Sequence, residues 1–225
     1  MAFRKKKERI LRRDPDVVVV QECENPGLKG EWDEFSNWAW IGENEHKGLG
    51  VFSRNDITVE SLATKNNACR YALPVTLGGE RDLLAVWAMN EKNEPKRRYI
   101  GQVYTALQQY SKHVDSTSIV AGDFNWNVIW DESPKSPLYG NFSDTVDILD
   151  ERALCSAYHS LKGCEYGSEI DPTFFMHKKH DRPYHIDYVF LPREEVDSVV
   201  DFSVGTYDEW IEFSDHVPLT VDVEK

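Results

Sequence analysis

The run Asp16-Val17-Val18-Val19-Val20 constrains the fold more than any other stretch of the chain. Four successive β-branched residues favour extended backbone. A strand that is apolar at every position has no face for water, so it reads as buried on both sides. That requires packed layers above and below its sheet. Gln21-Glu22 follow at once and place an amide and a carboxylate at the rim of the sheet. Position alone leaves Glu22 as either a polar cap to the strand or a metal ligand at a cleft floor.

Further strands are expected at Gly50–Phe52, Ile57–Leu62, Tyr71–Leu77 and Leu83–Ala88, separated by turns containing Gly, Asn or Asp. Ile100, Val103, Tyr104, Leu107 and Tyr110 recur at helical spacing within Lys96–His113, and the strand Ser118–Ala121 follows directly. Asp144–Ala153 reads as another helix with Ser143 as its N-cap. The last third is strand-rich, at Pro172–Met176, His185–Leu191, Val196–Val204 and Val217–Val223. Strands outnumber helices and do not alternate with them throughout, so packed sheets with helices outside fit better than a doubly wound sheet.

No Pro/Gly/Ser-rich linker divides the chain, which reads as one domain over residues 1–225. An apolar fraction of 40 % with 7 Trp, 10 Tyr and 10 Phe supplies a sizeable core. The net charge of −13 repels polyanions over the surface as a whole and argues against a basic DNA-binding groove. It leaves phosphate chemistry open, because acidic clusters bind divalent cations that invert the charge a phosphate meets. The basic segment Phe3–Arg13 reads as a helix ended by Asp14-Pro15, its charge a solvated face or a nucleic-acid patch. Cys23, Cys69, Cys155 and Cys164 show no CxxC spacing and no secretory leader precedes them, so the chain reads as cytoplasmic with reduced thiols. No apolar run is long enough to span a membrane.

The chemistry is concentrated in four clusters at strand ends. Val120-Ala121-Gly122-Asp123-Phe124-Asn125 delivers a carboxylate and an amide from an apolar run. If the strand continues through Phe124, alternation puts Asp123 and Asn125 on one face and Phe124 in the core. Such a pair suits a water-activating base beside a phosphate or metal contact; an Asx-type turn into the Trp126–Trp130 loop is the equal alternative. Ser214-Asp215-His216 brings an imidazole. Neighbours in a strand face opposite ways, so the carboxylate that orients His216 should come from elsewhere, and Asp187 in His185-Ile186-Asp187-Tyr188 is the best candidate.

Gln21-Glu22, Gly122-Asp123-Phe124-Asn125, Ile186-Asp187-Tyr188 and Ser214-Asp215-His216, in this order, resemble the signature of the endonuclease/exonuclease/phosphatase superfamily. The resemblance spans about residues 14–222. It implies a four-layer α-β-β-α sandwich, two mixed β-sheets flanked by helices, with divalent-metal-dependent phosphoester hydrolysis at one edge. It also implies roles for individual residues. Glu22 and Asp215 would bind Mg²⁺ or Mn²⁺, and Asp123 would activate or position the water. Asn125 would contact phosphate or metal, Asp187 would orient His216, and His216 would stabilise the transition state. Trp126, in the Trp126–Trp130 loop, is a candidate for shaping the substrate pocket through stacking on a base, with core packing or a surface loop as the equal alternative. The substrate would be a phosphoester, with nucleic acid among the classes, and no obligate protein partner is inferred.

Two departures from the family pattern stand out. A first strand ending in an Asn-containing motif is expected before Gln21-Glu22, whereas Met1-Ala2-Phe3 enters the first helix directly. Either the chain begins at an internal methionine or it is a diverged form; a catalytically inactive member that binds a phosphorylated ligand or a protein is therefore the alternative function. The second departure is Trp87, where the family commonly places His or Tyr. Indole donates a hydrogen bond but does not titrate usefully, which leaves leaving-group protonation to water or another residue.

Overall fold

The computed structural model describes residues 2–62, 69–135 and 137–224. Helix α1 (Lys7–Leu11) leads into strands β1 (Val17–Cys23), β2 (Asn37–Asn44), β3 (Lys47–Ser53), β4 (Val59–Ser61), β5 (Ala72–Leu77) and β6 (Arg81–Trp87). Helix α2 (Ile100–Gln109), strand β7 (Ile119–Asp123), helix α3 (Phe142–Glu151), strand β8 (Leu154–Ser156) and helix α4 (Ala157–Lys162) follow. The last third holds β9 (Phe174–Phe175), β10 (Pro183–Tyr184), β11 (Asp187–Pro192), β12 (Val199–Val204), α5 (Tyr207–Trp210) and β13 (Leu219–Val223).

The valine run behaves as its composition dictates. It forms β1 at one edge of a three-stranded sheet of order β1-β3-β2. Val17 and Val19 join an interlayer cluster with Leu49, Val51, Leu73, Val75, Ala85 and Ala121, and so tie this sheet to a six-stranded one of order β4-β5-β6-β7-β11-β8. Val18 and Val20 face the other way, onto Phe3, Trp32, Phe35 and Phe52 beneath α1. On the far side of the large sheet, Leu84, Val86, Val120 and Phe190 meet Ile100, Val103 and Leu107 of α2 and Leu149 of α3. Burying each of these large side chains stabilises the fold by about 1.5–3 kcal/mol.

Among the described residues the larger sheet is mixed through one parallel pair, β6–β7, whereas the three-stranded sheet is antiparallel throughout. Several expected elements differ in detail. Strand β2 carries Trp38 and Trp40 on a half-exposed edge and had no clean periodicity to announce it. The helix expected over Phe3–Arg13 breaks at Lys6, because Phe3 inserts into the aromatic cluster while the buried Glu24 carboxylate accepts the Phe3 and Arg4 N–H groups at 2.7 and 3.0 Å. Asn141, not Ser143, caps α3: its side chain accepts from Asp144 N at 2.9 Å, whereas the Ser143 hydroxyl donates to Asp131. The strand expected over Pro172–Met176 shrinks to β9, leaving Thr173 outside it.

Candidate active site

Strand β7 ends at Asp123, and the sheet register sets what surrounds it. Asp123 pairs with Trp87 across the parallel β6–β7 ladder and with Asp187 across the antiparallel β11–β7 ladder. Trp87, Asp123 and Asp187 therefore form one row, and their side chains share the face that carries Ala85, Ala121 and Val189 toward the small sheet. Both carboxylates are largely buried, Asp123 at 2 % and Asp187 at 9 % exposure. Like charges directly opposite one another repel, so a neighbouring cation would stabilise the row.

His216 supplies one. It lies in the segment after α5, held by a bridge to Phe174 whose ring is 4.6 Å from the imidazole. Its Nδ1–H donates to Asp187 Oδ2 at 2.9 Å, and Nε2 lies 4.0 Å from Asp123 Oδ2. Burial disfavours the charged ring, but Asp187, then Asp123 and Asp215, outweigh it and raise the His216 pKa well above its ordinary value. The ring keeps 32 % of its side chain exposed, which tempers the burial and leaves the imidazolium as the neutral-pH form. Asp123 is pushed upward by burial and by Asp187, against the lowering effect of His216 and of the Asn125 N–H.

Thr173, which carries no motif, holds the row together. Its hydroxyl donates to Asp187 Oδ2 at 2.7 Å and accepts the Ile186 and Asp187 N–H groups at 3.0 Å each. The only sequence signal was a hydroxyl inside an otherwise apolar run ahead of β11.

After Asp123 the chain turns. Asn125 has φ +50° and donates its N–H to Asp123 Oδ1 at 2.7 Å, an Asx turn, while Phe124 points into the core. The turn and the site are thus the same structure, since the carboxylate of the turn is the one in the row. The Asn125 amide donates to the Ala88 carbonyl at 3.2 Å. Trp126 is 7 % exposed, packs against Trp130 and donates its indole N–H to Asp131 at 2.8 Å, so it supports the loop from within. Behind it, Asn127 bonds the His185 carbonyl and the Glu169 carboxylate, and Glu169 pairs with His159 at 3.0 Å. Burial would raise Glu169, but the His159 and Gly167 hydrogen bonds win and hold it at about 2. These buried partners had no local sequence signature, because they are assembled from α4 and two loops.

Glu22 reaches the rim by a different device. A register shift between Gln21 and Cys23, with φ +56° at Glu22, makes a bulge that takes the carboxylate out of the alternation of β1. Its Oε1 lies 2.7 Å from Lys47 Nζ. Burial raises the Glu22 pKa, and nearby positive charge, the Lys47 ammonium foremost, more than reverses this. Lys6 feels both Glu22 and Asp215: burial lowers its pKa and the two carboxylates oppose that. Asp123, Asp187 and His216 each offer a ligand atom, all within 4.8 Å of one another. Glu22 and Asp215 stand outside that set, although the Glu22 charge acts on Asp123 and the Asp215 charge on His216. Oxygen donors with more carboxylate charge than one imidazolium offsets fit a hard divalent cation.

The chain belongs to the Endonuclease/Exonuclease/phosphatase family, whose profile matches residues 7–216. Among solved structures it is similar to the 3′ phosphatase NExo from Neisseria bound to product DNA hairpin, with 19 % identity, TM-score 0.65, and coverage of 99 % of this chain and 95 % of that one. It is also similar to an AP endonuclease from Archaeoglobus fulgidus, with 15 % identity, TM-score 0.68, and coverage of 96 % and 92 %. A third likeness is to the endonuclease domain of TRAS1, a telomere-specific non-LTR retrotransposon, at 16 % identity, TM-score 0.62, and coverage of 98 % and 91 %. No curated protein matches the chain by sequence. No helix among the described residues is long and apolar enough to cross a membrane.

Proposed function

We propose that this chain hydrolyses phosphoester bonds as a divalent-metal-dependent phosphodiesterase or nuclease, by direct attack of water on phosphorus. The observation that carries the reading is the Thr173–Asp187–His216–Asp123 chain of contacts at the edge of the large sheet. The packing of α1, small sheet, large sheet and α2/α3 is read with it as the four-layer α-β-β-α sandwich of the superfamily.

In this reading Asp123 accepts the proton of the attacking water. Its raised pKa brings it toward the range in which a carboxylate works as a base near neutrality. Asn125, fixed by its N–H to Asp123 and its amide to Ala88, orients the water or a phosphoryl oxygen. His216 is charged by Asp187 and presents Nε2–H to the oxygen on which negative charge accumulates. Thr173 and Asp187 do not reach the substrate; they hold the ring. Magnesium or manganese, held by Glu22 and Asp215, would polarise the phosphoryl oxygens and neutralise the leaving oxygen. The strongly acidic surface favours a small phosphoester or a short single strand over long duplex DNA.

Hydrolysis of bis(p-nitrophenyl) phosphate and of a labelled oligonucleotide, with Mg²⁺ or Mn²⁺ and with chelator, tests the reading. Asp123→Asn and His216→Ala should each lower the rate by about 10²–10³-fold, the range for removing one group that stabilises developing charge, with far-UV circular dichroism unchanged. Wild-type rates in both variants would refute it.

A further inference from the structure

The row at the sheet edge leaves one electrostatic gap. A phosphoester is an anion, and the groups around it include Asp123, Asp187, Asp215 and Glu22 against the imidazolium of His216. Trp87 stands beside Asp123 in the β6–β7 register and carries one N–H and no charge. Lys47 is a half-exposed cation close to that indole. On β3, Lys47, Leu49 and Val51 share one face by alternation, and Leu49 and Val51 are fully buried between the sheets. Lys47 is therefore the end member of an inward row, at the rim of the interlayer cluster. Its Nζ lies 4.9 Å from the centre of the Trp87 ring and 2.7 Å from Glu22 Oε1.

We propose that Lys47 is a phosphate-binding side chain held in reserve on Glu22, and that it swings along the face of Trp87 onto the substrate phosphate once a divalent cation takes the Glu22 carboxylate. The inference rests on the phosphoesterase reading for the location of the phosphate. The geometry supplies each element of the motion. Lys47 and Glu22 keep 42 % and 46 % of their side chains exposed, so their ion pair sits in water and is weak enough to exchange. A four-carbon stem with a compact ammonium can turn about its own bonds without moving β3. The Trp87 ring offers a cation–π surface between the two positions, which keeps the ammonium at the site while it is off Glu22. Trp87 thus acts as a guide for a charged neighbour. Lys6 is a second positive group whose charge is coupled to those of Glu22 and Asp215.

Two calorimetric titrations of the whole chain test this, one with Mn²⁺ alone and one with inorganic phosphate added to the Mn²⁺-saturated protein. Lys47→Met removes the ammonium that competes for Glu22, so Mn²⁺ should bind about five-fold more tightly than to the wild type, the ratio that an exposed ion pair of about 1 kcal/mol converts to. Phosphate should bind about ten-fold more weakly to the same variant, the loss of one charge-assisted contact. Lys47→Arg keeps a cation of similar reach and should move both affinities less than Lys47→Met does. Mn²⁺ affinity in Lys47→Met at or below the wild-type value, or phosphate affinity equal to wild type, would overturn the proposal. Neither titration uses turnover. A chain that shows both shifts yet hydrolyses no phosphoester would keep the Lys47 role and remove the phosphoesterase reading. Hydrolysis with no shift in either affinity would do the reverse.

Discussion

Replacing Thr173 by Val keeps the shape of a fully buried side chain and deletes its hydroxyl, which isolates the polar role of this residue. Three hydrogen bonds go with it: the 2.7 Å bond to Asp187 Oδ2 and the two 3.0 Å bonds from the Ile186 and Asp187 N–H groups. A bond to a carboxylate contributes about 1.5–3 kcal/mol and an ordinary one about 1 kcal/mol, so the loss should total about 3–5 kcal/mol. That is a large part of the roughly 5–15 kcal/mol that holds a domain folded. At about 2–4 °C per kcal/mol for a chain of this size, the melting midpoint should fall by about 6–20 °C. Activity should fall as well, because Asp187 sets the imidazole plane and a shift of about 1 Å in a catalytic group can cost about 10²-fold. Thr173→Ser retains the hydroxyl and should recover most of both losses. Thermal melts and kcat on a chromogenic phosphodiester read the two effects separately. If the valine variant melts with the wild type, or if the serine variant loses as much as the valine one, the hydroxyl is not what holds Asp187.

The remaining predictions concern the strand and the buried network behind the site. Gly122 has φ +140°, and a Cβ there would collide with the Val86 carbonyl oxygen. Gly122→Ala should therefore destabilise by about 3 kcal/mol or more in urea unfolding, through backbone strain added to overpacking; a wild-type midpoint would refute this. Glu169, held at about 2 against an ordinary 4.5, contributes stability that is fully present above pH 4.5 and is lost as pH falls through 2, since the unfolded chain then binds the proton first. Acid unfolding of Glu169→Gln should lack that part of the slope, and an identical pH profile in the two proteins would remove Glu169 from the account.

Much of the fold follows from period and composition. Four valines in a row demanded cover on both faces, and β1 has it, with Val17 and Val19 on the interlayer side and Val18 and Val20 on the aromatic side. The helical spacing of Ile100, Val103 and Leu107 likewise produced the buried face of α2. These signals are legible because burial along one element depends on that element's own repeat. Strand β2 was not legible, because it sits at an edge with neither face consistently apolar. For Trp126 the sequence left pocket-shaping and core packing open, and the structure buries its ring in the cluster beneath α2 and α3.

The site divides along the same line. The sequence by itself determined which chemical groups stand at strand ends: Glu22 after the valines, Asp123 at the end of β7 and Asn125 just beyond it, Asp187 at the start of β11, and Asp215-His216 before the last strand. Only the tertiary structure decided their partners. Cross-strand register put two carboxylates opposite one another, and a bulge turned Glu22 toward Lys47. Thr173 arrived from a loop to lock Asp187, and Glu169 reached Asn127 from a sequence distance of 42 residues. Residue type is written locally in the chain. Distance and charge balance arise only when separate strands are brought to one edge, and they set the protonation of Asp123 and His216.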